Sequence, residues 1–209
     1  MIPLYDENRI KGKLPFVTIG LVLANVFFFF YTFQNIGHFA ALFGFFPRDI
    51  LDGRIFTIFT AMFLHADLLH LLGNMLFLWV FGENLESRIG PVRFFIFYLV
   101  CGFIAALVYA LMSGASNIPV VGASGAISGI LGGYLVLFPG NKIKSIVPLI
   151  IIWTLISIPA LIFIIIWFLY QFVSLYFSNG SLVAYSAHVG GFLAGAILIK
   201  KFASRRKLI

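Results

Sequence analysis

Four polar residues stand out in an otherwise apolar chain. They are Ser124 in "GASGAIS" (122–128), His188 in "AHVGGFLAG" (187–195), and His70 and Asn74 in "HADLLHLLGNM" (65–75). A serine hydroxyl within reach of an imidazole is the pairing that activates a nucleophile. An asparagine amide and an imidazole N–H four residues apart lie on one helix face and can both donate to an oxyanion. Acyl transfer at serine is the chemistry these types can perform together. Glycines accompany them: Gly122 and Gly125 around Ser124, and Gly191 three residues after His188.

The elements that must position these groups are membrane spans. The chain has 209 residues, 62% hydrophobic and 10% charged, with a mean hydropathy of +1.08. Soluble domains carry about 25% charged residues. Apolar runs long enough to cross a hydrocarbon core recur along the chain. The first fifteen residues are polar and charged, and the first apolar run is too long for a signal-peptide core, so no cleavable signal is expected. Cys101 is the single cysteine, which excludes an intramolecular disulfide.

Hydrophobic patterning predicts six spans, near 15–34, 67–84, 92–113, 121–138, 150–176 and 184–200. The apolar run 146–177 is too long for one upright helix, so Pro159 is expected to divide an interfacial or tilted entry from the spanning part. With this layout Arg9, Lys11, Lys13, Arg88, Arg93, Lys142, Lys144, Lys200, Lys201, Arg205, Arg206 and Lys207 fall on the side of both termini. Only Arg48 and Arg54 fall on the other. The positive-inside rule then predicts a multi-pass protein of the cell membrane with both termini cytoplasmic. The net charge of +7 is a topology signal, helped by anionic lipid, and not a nucleic-acid footprint.

One connection is long: 35–66, on the outer side, where Phe43, Phe45, Phe46, Phe56 and Phe59 mix with Pro47, Arg48, Asp49, Asp52 and Arg54. Such a loop suits the membrane interface. There is no repeat, low-complexity tract or soluble domain. The expected organisation is a cytoplasmic segment 1–14, an all-α six-helix membrane domain 15–200, and a basic tail 201–209.

The four polar residues share a depth. His70 is one turn into span two and Asn74 two turns; Ser124 and His188 are each one turn into spans four and six. By helix rise all lie roughly 5–11 Å below the outer surface. Polar groups inside spans are costly and mark function. The helices also carry means to meet. Gly125, Gly129 and Gly133, then Ser124, Ser128 and Gly132, and in span six Gly191 and Gly195, recur every fourth residue. Small residues at that spacing let helices approach closely in lipid. The Ser124 backbone N–H would begin span four, where first-turn amides lack intrahelical partners and face a positive helix end. No acid is placed to orient His188, so a Ser–His dyad is the economical reading.

These segments, with "GENLESRIGP" (82–91) and "IPALIFIIIWFLYQ" (158–171), resemble the rhomboid family of intramembrane serine proteases in order and spacing over nearly the whole chain. The resemblance implies a six-helix rhomboid-like bundle and no metal or cofactor. It implies Ser124 as nucleophile, His188 as base, and His70 and Asn74 lining the oxyanion hole. Glu86 and Arg88 would belong to a motif that anchors the first loop, and His65 would hold that loop structurally. Two positions depart from the pattern. The family's Trp-Arg is Gly53-Arg54 here, and the Tyr or Phe that packs on the catalytic imidazole is Ser128.

Other readings are weaker. A serine among glycines can be mere packing, and an intramembrane histidine a satisfied donor or proton relay. His65, His70 and His188 do not form a zinc pattern, because the first two do not share a helix face and H-E-x-x-H is absent. A channel or transporter should show midplane charges or paired broken helices. An inactive rhomboid-like binder of membrane helices is the alternative, disfavoured because Ser124 and His188 are both present. The expected activity is a serine endopeptidase acting on transmembrane protein substrates in the lipid bilayer.

Overall fold

A computed structural model describes residues 1–10, 14–114, 117–149, 152–177 and 183–203. Lys11, Lys13, Arg205, Arg206 and Lys207, and the predicted tail beyond residue 203, lie outside them. Eight α-helices follow in order: α1 (Phe16–Thr32), α2 (Ile36–Phe43), α3 (Thr57–Thr60), α4 (Leu68–Ile89), α5 (Pro91–Ser113), α6 (Ser124–Leu137), α7 (Ala160–Phe177) and α8 (Tyr185–Phe202). Among the described residues, four helical segments are long and apolar enough to cross a bilayer: Phe16–Phe43, Leu68–Ile89, Pro91–Ser113 and Ala160–Phe177. The structure is thus a mostly helical membrane bundle.

α6 is the axis of the bundle. It packs against α4, α5, α7 and α8, and every residue from Ala126 to Tyr134 is buried. At 14 residues it is about 21 Å long by helix rise, shorter than a hydrocarbon core of about 30 Å. Its first residue therefore cannot sit at the membrane surface if its last turn reaches the opposite one. The descent to Ser124 is made by non-helical chain, which lipid tolerates only where protein or a water-filled cavity surrounds it.

Three backbone contacts explain how closely α6 and α8 meet. The α-carbons of Gly191 and Gly195 lie against the carbonyls of Gly125 and Gly129, and Gly132 lies against the carbonyl of Phe192. The small residues singled out above are the interface itself. Large side chains such as Phe27, Phe30, Leu69, Leu111 and Ile197 instead face outward, the surface that lipid covers.

The predicted fifth span needs correction. β2 (Lys142–Leu149) and β3 (Ile152–Pro159) pair as an antiparallel hairpin, and the helix begins only at Ala160. Pro159 ends β3, so it divides a strand from a helix rather than two parts of one helical path. The run is rich in Ile, whose stiff branched side chain suits strands. β1 (Ile2–Asp6) adds to the hairpin, giving antiparallel order β1-β2-β3. This sheet lies at the end of the bundle away from Ser124. There the Asp6 carboxylate accepts from Asn84, Tyr134 and Asn141, and Arg9 pairs with Glu83.

Candidate active site

The turn into α6 is shaped by its neighbours in the first loop. Phe45 and Val120 exchange backbone hydrogen bonds of 3.0 and 2.8 Å, and the Gly122 N–H donates to the Ala61 carbonyl at 2.9 Å. Gly122 has φ of +120°, a conformation that side chains make costly. A Cβ there would also meet His70 Nε2 at 2.7 Å. Glycine is needed at 122 on both counts. The helix then starts at Ser124, so its first-turn amides have no partner within α6.

His188 lies in the first turn of α8, and the glycine contacts between α6 and α8 bring it to Ser124. Its Nε2 is 2.7 Å from Ser124 Oγ. Its Nδ1 is 2.8 Å from Gln171 Oε1 on α7. Trp167 and Tyr185 flank the ring, with centroids 6.4 and 6.2 Å away. Gln171 was not among the residues picked out from the sequence. The signal was present: a buried amide in an apolar span needs a partner.

His70 and Asn74 project from α4 toward the same place. Asn74 is buried, and among the described residues its Nδ2 has no hydrogen-bond partner. A Cβ on Gly122 would lie 3.5 Å from that nitrogen, so His70 and Asn74 both reach the turn that precedes Ser124. A cavity of ≈ 620 Å³ is lined by Ser124, His188, His70, Asn74, Gln171 and Trp167, among others. It has room for a short extended peptide.

Asp67, left without a role by the sequence, is the N-cap of α4: its Oδ1 accepts from the His70 backbone N–H at 2.8 Å. His65 is fully buried, its ring 5.0 Å from that of His70. Burial, with His70 beside it, pushes its pKa down to about 3. His65 is therefore a neutral packing partner for His70 at ordinary pH. Ser128 is buried, and its hydroxyl donates to the Ser124 carbonyl at 2.7 Å.

Glu86 corrects one expectation. It lies at the far end of α4 from the first loop, where its carboxylate accepts from the backbone N–H of Val17 and Thr18 and from the Thr18 hydroxyl at 2.8–3.0 Å. It holds the start of α1, a carboxylate at a helix N-terminus. Arg88 sits half-buried in the same last turn of α4. The first loop has its own anchor. Asp49 accepts from the Phe46 N–H at 3.0 Å and the Thr57 hydroxyl at 2.8 Å. Arg54 donates to the Leu42 carbonyl at 2.6 Å, with its Nε 3.7 Å from Asp49.

A hydroxyl bonded to an imidazole, beside an unpaired amide donor and a helix N-terminus, has the parts for attack on a carbonyl and stabilisation of the oxyanion.

Comparison with known proteins identifies the family. RHOMBOID-like protein 5 of Arabidopsis thaliana is 34% identical over 158 residues, 72% of this chain and 45% of that protein. Rhomboid-like protease 3 of Toxoplasma gondii is 30% identical over 152 residues, 70% of this chain and 51% of that protein. Rhomboid protease GluP of Bacillus subtilis is 34% identical over 93 residues, 44% of this chain and 18% of that protein. The chain thus spans about half or less of the length of these relatives. The Rhomboid domain family matches residues 52–205, a stretch that contains all four polar residues of the site and both glycine-lined helices. By that match over most of its length, the chain belongs to the rhomboid family of intramembrane proteases.

Proposed function

We propose that this protein is a serine endopeptidase that cleaves membrane-spanning segments of other proteins near their outer boundary, using Ser124 and His188 as a dyad. The observation that carries this reading is the 2.7 Å contact between Ser124 Oγ and His188 Nε2 at the wall of a cavity. Ser124 Oγ attacks the peptide carbonyl while His188 Nε2 takes its proton. The carbonyl oxygen becomes an oxyanion, held by the Asn74 amide, His70 and the Ser124 backbone N–H. Collapse breaks the C–N bond, and His188 returns the proton to the leaving amine. Water, activated by the same imidazole, then releases the acyl group from Ser124. A substrate helix hides its carbonyls in its own hydrogen bonds, so suitable substrates carry small or helix-breaking residues at the cleavage point.

The test is covalent. A fluorophosphonate should label the purified protein at Ser124, and Asn74→Ala should slow labelling by about 10²–10³-fold, the usual loss for one oxyanion donor. Absence of label overturns the reading in favour of a binder of membrane helices, and label mapped to another residue removes Ser124 as the nucleophile.

The proposed orientation has six crossing helices, α1 and α4 to α8, with both termini cytoplasmic. Supporting it is the basic bias toward one side. Lys200 and Lys201 lie in the last turn of α8 and Lys142 and Lys144 on β2, at the end of the bundle away from Ser124. Reporter fusions after residue 209 and within the connections at 114–120 and 177–183 should read cytoplasmic, external and external. An external C-terminus would refute the layout.

A further inference from the structure

The seat of His188 depends on a residue from a third helix. Ser128, one turn after Ser124, turns its hydroxyl to the Ser124 carbonyl at 2.7 Å and not to the imidazole. The imidazole is instead gripped from α7. Gln171 Oε1 is 2.8 Å from Nδ1, and Trp167, one turn earlier on the same face of α7, stands beside the ring with centroids 6.4 Å apart. Gln171 is 6% exposed, among the few buried residues of α7. A polar side chain inside an apolar span is expensive unless its partner demands it.

We infer that Gln171 is the positioning residue of the site: its carbonyl oxygen accepts the Nδ1 proton of His188 and thereby leaves Nε2 unprotonated toward Ser124. This deepens the dyad proposed above and rests on it. The logic is tautomeric. A neutral imidazole carries one proton, so an acceptor at Nδ1 fixes the N–H there and makes Nε2 the acceptor for the Ser124 hydroxyl. A donor at Nδ1 would do the reverse and leave Nε2 unable to take the nucleophile's proton. The wrong tautomer is costly in serine hydrolases, about 10⁴-fold in the limiting case. Gln171 supplies the acceptor without a charge. The arrangement therefore orients the base but lends the imidazolium no full ion pair.

Two variants test this. Gln171→Met keeps the length of the side chain and removes the acceptor. It should lower kcat by about 10–100-fold, the loss seen when an imidazole's orienting partner is removed, with KM for a model single-span substrate within about twofold of wild type. Gln171→Glu keeps an acceptor and adds charge. It should retain activity within about tenfold, and the acid limb of its kcat/KM profile should move up by about 1–3 pH units as the carboxylate favours imidazolium. The neighbours that also bear on the ring, His70 from α4 and Tyr185 from α8, are common to all three proteins and do not account for a difference.

Wild-type kcat in Gln171→Met, or an unmoved acid limb in Gln171→Glu, overturns the inference. Should Gln171→Met fail to fold, the Gln171→Glu profile still decides. Failure of the dyad itself is seen separately, as wild-type protein that a fluorophosphonate does not label at Ser124. A labelled wild type with an unaffected Gln171→Met removes only the positioning role.

Discussion

Ser124→Ala is expected to abolish cleavage while insertion and thermal stability stay near wild type. The contrast is sharp because the alternative role predicts the opposite. A serine that only lets helices touch is replaced by alanine without loss, and with one less hydroxyl to satisfy. A nucleophile is not replaceable. Loss of the serine or the histidine of such a unit costs on the order of 10⁶ in kcat, and the losses do not add. His188→Ala should therefore be as dead as Ser124→Ala, and the double variant no worse than either. The measurement is cleavage of a model single-span substrate in detergent or liposomes, with EDTA present throughout. Full turnover by purified Ser124→Ala would leave only the packing role.

Gly195→Val should be nearly as damaging, by a different route. The Gly195 α-carbon lies against the backbone of Gly129, with no side chain between that could swing aside. Any Cβ forces apart α6 and α8, the helices that carry Ser124 and His188. Overpacking of this kind costs about 1–3 kcal/mol or more, and a misplacement of about 1 Å in a catalytic pair can cost about 10²-fold in rate. Thermal unfolding and kcat should fall together. Gly20, in α1, has nothing within 4 Å of a Cβ, so Gly20→Ala should leave both intact. A Gly195→Val protein with wild-type melting and turnover would show that the glycine ladder does not set the geometry of the site.

Periodicity and depth made much of this layout legible. Spans one, three and six were placed within two residues of α1, α5 and α8. The four-residue glycine spacing pointed to the helices that meet, and Ser124 and His188 lie in contact as that spacing required. The hairpin was not legible because a short apolar run reads alike as strand or buried helix, and the eight residues of β3 merged with α7. Gln171 was passed over because its partner is 17 residues away in sequence, and no local pattern links them. Glu86 was placed at the correct end of its helix but tied by the resemblance to the first loop, since a motif names residues but not the partner that a carboxylate reaches. Asp6 shows the same limit more strongly. Nothing near it in sequence announces that its carboxylate will gather Asn84, Tyr134 and Asn141.

The pairing of β1 with β2 has a consequence for the order in which the molecule is made. Ile2 pairs with Ile146 and Asp6 with Ile143, so β1 leaves the ribosome well over a hundred residues before its partner. Domains emerge N-terminus first, at roughly 5–20 residues per second, which leaves β1 and the Asp6 carboxylate in solvent for several seconds of synthesis. During that interval α1, α4, α5 and α6 can enter the bilayer and pair without it. Closing the sheet is then a late event with a long loop to close. It joins β1 to the sheet only after Tyr134 and Asn141 have arrived to receive Asp6. The N-terminal strand is thus a latch applied to helices already assembled, and not the seed from which they assemble.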